Sequence, residues 1–139
     1  MNTPLSVTNK IGLGLAFVLG LGDIASLGTI GQDMSPGEQG PPAGVTVFSA
    51  VLGVITLVGI VIAWRTGARP ALRAVAGSRI VSMILGLPAF FADGVPAGWV
   101  VISAVAVVLT LLALALMFRK PSVSASAGAG EASRAGAAR

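Results

Sequence analysis

Four long apolar segments, separated by short polar ones, run along this chain at about 11–30, 44–64, 72–92 and 98–118. An α-helix needs about 20 mostly apolar residues to cross about 30 Å of hydrocarbon. The third segment is the weakest, because it begins among arginines and is uniformly apolar only over 80–92. Backbone groups that face lipid must be hydrogen-bonded within the chain, which favours helices. The pattern predicts an all-α, polytopic membrane protein with a four-helix transmembrane domain over 1–120.

The composition agrees with this pattern and limits the chemistry. Of the 139 residues, 55% are hydrophobic and 10% are charged, whereas a soluble domain is about 25% charged. The chain has no cysteine and no histidine, so disulfides, thiolate nucleophiles and imidazole bases are excluded. The five acidic residues are spread over one span, two connectors and the tail. We therefore expect no enzyme activity, no catalytic residues, no cofactor and no metal site.

The positions of the charges predict how the chain lies in the membrane. The two connectors after the first and third spans contain Asp33, Glu38 and Asp93 but no basic residue. All nine basic residues flank the other span ends or lie in the tail; they are Lys10, Arg65, Arg69, Arg73, Arg79, Arg119, Lys120, Arg134 and Arg139. The positive-inside rule then predicts a cell-membrane protein with both termini cytoplasmic. This distribution explains the basic residues without nucleic-acid binding.

The arginines between the second and third spans are candidates for contact with membrane lipids. Arg65, Arg69, Arg73 and Arg79 could each gain about 1 kcal/mol from anionic headgroups. We expect Arg79 to extend back to the inner boundary and not to pair directly with the acid of the first span. The tail at 121–139 consists mainly of alanine, serine and glycine, which predicts a disordered cytoplasmic segment.

The second and fourth spans resemble each other at a constant offset of 54 residues. Of the 24 positions from Pro42 to Arg65, 11 are identical at this offset, including a Pro-Ala-Gly start. The first and third spans match only weakly. A chain rich in alanine, valine and leucine produces chance matches, but the similarity favours an internal repeat of two tandem helical hairpins. Such repeats are related by an axis along the membrane normal.

Small and hydroxyl residues recur on single helix faces. Gly12, Ala16 and Gly20 form a ladder on the first span, and this pattern favours close helix contact within the bundle, with a second copy, or with another membrane protein. Ser49 and Thr56 on the second span correspond to Ser103 and Thr110 on the fourth. We interpret these residues as helix-packing positions, with a polar pathway as the alternative.

Asp23 is the candidate functional residue, because an intramembrane acid is a candidate for proton or cation coupling. The alternative is that the helix ends early, near Gly22 and Gly28, so that Asp23 lies among the outer headgroups. Pro88 would remove one hydrogen bond from the third span and kink it. Two functions remain open. The first is a non-catalytic accessory, assembly or scaffold protein that acts through helix contacts; the alternative is a small proton- or cation-linked transporter that uses Asp23.

Overall fold

The computed structural model describes residues 5–33 and 35–119, and this part of the chain is helical, without strands. Its four main helices are α1 (Val7–Ala25), α2 (Ala43–Thr66), α3 (Arg69–Gly86) and α4 (Ala97–Met117). Short 3₁₀ turns, Ser26–Thr29 and Leu87–Phe90, follow α1 and α3. All four helices, two of them together with the 3₁₀ turn that follows, are long and apolar enough to cross a membrane. The prediction of an all-α structure with four such helices is confirmed. The predicted tail at 121–139 lies outside the described residues.

Local hydrogen bonds and proline geometry determine where the helices begin. Ser6 caps α1, because its hydroxyl accepts the Asn9 N–H at 3.2 Å. Because of this cap, α1 begins four residues before the predicted span. These four residues lie in a polar stretch, so the hydropathy pattern does not assign them to a helix. Pro42 and Pro96 precede α2 and α4 with nearly identical extended backbones (φ −54°, ψ 135° and φ −55°, ψ 139°). Gly67 ends α2 in the left-handed conformation at φ 62°, which glycine adopts without strain.

Pro88 ends a helix instead of bending one. The α-helical part of α3 finishes at Gly86, and Pro88 lies in the 3₁₀ turn that follows. The carbonyl of Ile84, which the proline leaves free, accepts the Leu87 N–H instead. The prediction of a kink inside the third span is therefore wrong, because proline excludes the α-helix at this point and the chain tightens into 3₁₀ geometry.

The helices form a bundle with two different ends. At the end that we call the arginine end, α1 and α3 begin while α2 and α4 finish, and Asn9 Nδ2 donates to the Met117 carbonyl at 2.6 Å. An apolar cluster fills this end; its buried members are Leu13, Ala16, Ile60, Ala63, Ala71, Leu72, Val75 and Met117. At the opposite end, which we call the connector end, the segments 30–42 and 91–96 join the helices. The Gln39 N–H donates to the Gly94 carbonyl at 2.8 Å, so the two connectors contact each other.

The bundle buries several polar residues beside its apolar core and exposes an apolar surface. Its buried polar and charged residues are Thr46, Thr56, Ser78, Arg79, Ser82 and Thr110. Aliphatic side chains on the outer faces, such as Val54 and Val105, are about half exposed (51% and 52%). In a soluble protein arginine is almost never fully buried, and charged side chains cover much of the surface. This surface is suited to lipid, in agreement with a multi-pass membrane protein.

Candidate functional site

Asp23 and Arg79 form an ion pair inside the bundle. Asp23 lies in the last turn of α1 and Arg79 in the middle of α3; Arg79 Nη1 donates to Asp23 Oδ2. Arg79 is 2% exposed, while the Asp23 side chain retains 19% exposure. Ser82 Oγ, one turn after Arg79, donates to the same Asp23 oxygen at 3.0 Å.

This contact corrects two expectations for Arg79. From the sequence, Arg79 was expected to extend to the inner boundary and contact anionic lipid there, and not to pair with Asp23. Both expectations are wrong, because the long Arg79 side chain reaches the Asp23 carboxylate of α1 inside the bundle. Each isolated charge costs about 2.5–3.5 kcal/mol near the centre of a membrane helix. Pairing the two charges inside the bundle avoids exposing either one to lipid.

A second hydrogen bond links the ion pair to α4. Arg79 Nη2 donates to Thr110 Oγ1 at 3.5 Å, a long and weak contact. Arg79 Nε is buried and has no hydrogen-bond partner among the described residues. A buried donor without a partner is unusual, since most such groups are satisfied in folded proteins. The guanidinium therefore joins α1, α3 and α4 while retaining one free N–H.

Hydroxyl groups also join α2 to α3. The Thr56 and Ser78 hydroxyl oxygens lie 2.7 Å apart and share a hydrogen bond, and both residues are buried. The carbonyls of Leu52 and Val75 lie 2.9 Å from these hydroxyls on their own helices. The predicted packing residues Thr56 and Thr110 thus contribute polar contacts as well as small volume.

Glycines bring the helices into close contact around this network. A Cβ on Gly12 would lie 2.8 Å from the Ala113 carbonyl oxygen of α4, and one on Gly53 would lie 2.6 Å from the Gly20 carbonyl oxygen of α1. Ala16, the remaining member of the predicted ladder, is fully buried in the apolar cluster. The ladder on α1 therefore serves contacts within the bundle.

A cavity of about 450 Å³ opens at the connector end. It contains side-chain hydroxyls from α2, α3 and α4 as well as the turn after α1; these hydroxyl residues are Ser26, Thr46, Ser49, Ser82 and Ser103. Gln39 and Trp99 contribute further polar groups to the wall. Ser82 connects the two parts of the site, because it lines the cavity and also donates to Asp23.

Some of the predicted site residues lie elsewhere. Arg65, Arg69 and Arg73 are exposed near the arginine end, away from the cavity. Ser49 and Ser103, predicted as packing positions, line the cavity wall. Sequence analysis missed Ser78, Ser82, Thr46 and Trp99. The spacing of Ser78 and Ser82 around Arg79 could have revealed the first two, because residues four apart share a helix face.

The arrangement is suited to binding and charge pairing. No group of three or more acidic, histidine or cysteine side chains that could hold a metal ion occurs within 5–33 and 35–119. We compared the chain with protein-family models, curated proteins and solved structures, and nothing matched.

Proposed function

We propose that this protein is a small, non-catalytic transporter that binds a small polar solute in the cavity at its connector end. The observation that carries the proposal is the asymmetry of the bundle: a mostly apolar cavity with five hydroxyl residues contacts the ion pair through Ser82, and the apolar cluster closes the opposite end. Among the functions considered for the sequence, this one corresponds to transport through Asp23.

The cavity has properties that favour binding. Its volume of about 450 Å³ falls within the range of about 300–1,000 Å³ that small-molecule sites occupy. Proline, valine and Trp99 give it apolar walls, and five hydroxyl residues add polar groups. A mostly apolar pocket with a few polar groups selects a solute by hydrogen bonding and shape.

The closed end supports transport as opposed to a continuous channel. Leu13, Val75 and Met117 are almost completely buried in the apolar cluster, so a solute in the cavity has no polar route onward. An alternating-access carrier exposes its site to one side at a time. We assign this structure to the state that is open at the connector end.

The charge distribution supports a cell-membrane topology with the arginine end cytoplasmic. Lys10, Arg65, Arg69, Arg73 and Arg119 are all exposed at or near that end, and Asp33, Glu38 and Asp93 lie in the opposite connectors. By the positive-inside rule, this distribution favours a cytoplasmic location for both termini of the four-helix domain. The exposed arginines at 65, 69 and 73 are suited to contact anionic lipid headgroups. The tandem hairpins are part of the same proposal, supported by the matching Pro42 and Pro96 caps of α2 and α4.

Cysteine labelling tests the cavity and the topology together, because the natural chain has no cysteine. A charged methanethiosulfonate reagent that cannot cross membranes is added to either side of sealed vesicles. We expect Ser103→Cys to react from outside only, and the matched variant Val105→Cys, which faces lipid on the same helix, to react from neither side. Equal labelling of the two variants, or labelling of Ser103→Cys from the cytoplasmic side alone, would contradict the proposed cavity or its orientation.

Proton flux in proteoliposomes tests the transport step itself. A trapped pH dye reports proton entry while a panel of small polar solutes is supplied outside. Wild-type protein is expected to show solute-dependent flux, and Asp23→Asn is expected to lose it. The absence of flux with every solute on a broad panel would reject transport even if the labelling result holds.

The second candidate is the accessory, assembly or scaffold protein. One observation favours it: α4 is buried only at Thr110, Ala113 and Met117, which leaves a long apolar face for lipid, a second copy or another membrane protein. Purification from native membranes in mild detergent separates the candidates. A stoichiometric partner would support this second function, and a monomer with solute-dependent flux would reject it.

A further inference from the structure

The charges at the site restrict which solutes it can accept. Asp23 and Arg79 together carry no net charge, and Asp23 is the more exposed partner. Neither residue lines the cavity, but Ser82 does, and its hydroxyl donates to Asp23. A cation that approached Asp23 would also meet the guanidinium behind it. The repulsion between the two positive charges makes this site a poor one for cations.

Protonation of Asp23 has a different consequence. A guanidinium stays protonated in proteins, so neutralising Asp23 leaves Arg79 as an unpaired charge that is 2% exposed. Removing one partner of a buried pair is strongly destabilising, because the other charge stays buried without compensation. Protonation is therefore favourable only when another anion takes the place of the carboxylate.

Within residues 5–33 and 35–119, no second acid lies within ion-pair distance of Arg79 to supply this anion. Against Asp23, α2 presents the backbone of Gly53, the turn after α1 presents Ser26, and α3 presents Ser82 and Arg79. The fourth helix contributes only the Thr110 hydroxyl, through Arg79. Asp23–Arg79 is the only ion pair among the described residues.

We propose that the site binds a proton and a small anion together: the proton binds the Asp23 carboxylate, the Asp23–Arg79 pair breaks, and the anion entering from the cavity binds the Arg79 guanidinium. The inference rests on the proposed function and defines its solute class as small carboxylates and similarly shaped oxyanions. Charge balances, because one proton and one monovalent anion enter together and the site remains neutral. The free Arg79 Nε–H supplies an additional donor for such an anion, which guanidinium groups bind through two parallel hydrogen bonds.

Binding can be tested in detergent without knowledge of the natural solute. Asp23→Asn mimics the protonated carboxyl group, and methanesulfonate serves as the probe because it stays anionic in acid. We expect the midpoint of thermal unfolding of Asp23→Asn to shift upward as methanesulfonate increases, since a ligand that binds the folded state stabilises it. The double variant Asp23→Asn/Arg79→Gln has no guanidinium and is expected to show no such shift, which controls for general salt effects.

Wild-type protein provides a second measurement that does not depend on the stability of the variant. In neutral buffer its unfolding midpoint should be insensitive to methanesulfonate, and in acidic buffer it should shift upward with the probe. The same titration of the double variant controls for the acids in the connectors. An unfolding midpoint of Asp23→Asn, or of the wild type in acid, that does not change with methanesulfonate would overturn the anion site. The cysteine-labelling result would be unaffected, so the two failures are distinguishable.

Discussion

Gly12 is the position at which the helix contacts of this bundle are most directly testable. A methyl group there would lie 2.8 Å from two backbone atoms of α4, the Ala113 oxygen and the Met117 nitrogen. Backbone atoms cannot turn aside as a side chain does, so Gly12→Ala must push α1 and α4 apart. Inserting extra volume into a packed interior costs about 1–3 kcal/mol. Replacing glycine by alanine also favours the helix by about 1 kcal/mol, which partly hides the loss.

The neighbouring Gly14 separates these two effects. A methyl group on Gly14 meets nothing within 4 Å, so Gly14→Ala gains helix propensity without a clash. The free energy of unfolding, measured by titration with SDS in mixed micelles, should be lower for Gly12→Ala than for Gly14→Ala by about 1–3 kcal/mol. Equal stability of the two variants would refute the close approach of α1 to α4.

Two further predictions concern the polar network. Arg79→Gln should lower the free energy of unfolding by about 3 kcal/mol. This is the low end of the range for breaking a buried pair, and we expect it because the Asp23 side chain is 19% exposed. Adding Asp23→Asn to this variant should recover part of the loss, and strictly additive effects in the SDS titration would argue against the pair. Thr56→Val keeps the shape of the side chain but removes the hydrogen bond between α2 and α3, so the same titration should show a loss of about 0.6–1.7 kcal/mol. Ser78→Ala should then add little to Thr56→Val, whereas a full second loss would show that the two hydroxyls act independently.

The sequence was sufficient to predict the four apolar helices and the starts of α2 and α4 to within one residue, but not the start of α1 or the end of α3. Length and hydropathy are properties of a whole segment, so they identify α2 and α4 directly. The start of α1 depends on the Ser6 hydroxyl and the Asn9 amide, which form a cap within a polar stretch. The end of α3 depends on how the chain adjusts at Pro88, and hydropathy cannot distinguish a kink from a 3₁₀ turn.

Individual residues of the site could be predicted from the sequence, but their contacts with one another could not. Asp23 could be selected because an acid within an apolar span must be compensated in some way. Arg79 could not be identified as the partner of Asp23 from the depths of the two residues in the membrane. Those depths were counted along the helix axes, and the count neglects the length of an arginine side chain. Ser82 completes the pair, and its spacing from Arg79 by one helical turn was a signal in the sequence. The cavity depends on how residues of α2, α3, α4 and the connectors lie relative to one another, and the sequence pattern contains no information about this arrangement.

The distribution of small and polar residues favours solute binding over a scaffold role. The scaffold hypothesis was based on small-residue helix faces in general, and one of these, the glycine ladder of α1, contacts α4 and α2 within the same chain through Gly12 and Gly20. If the serine and threonine hydroxyls served helix packing alone, we would expect them to be spread evenly along the bundle. Instead Ser49, Ser82 and Ser103 line one cavity at the connector end, while the arginine end is closed by aliphatic side chains and Met117. Because buried polar groups in a membrane helix are costly unless paired, their concentration around one cavity and one ion pair argues that this half of the bundle is the functional half.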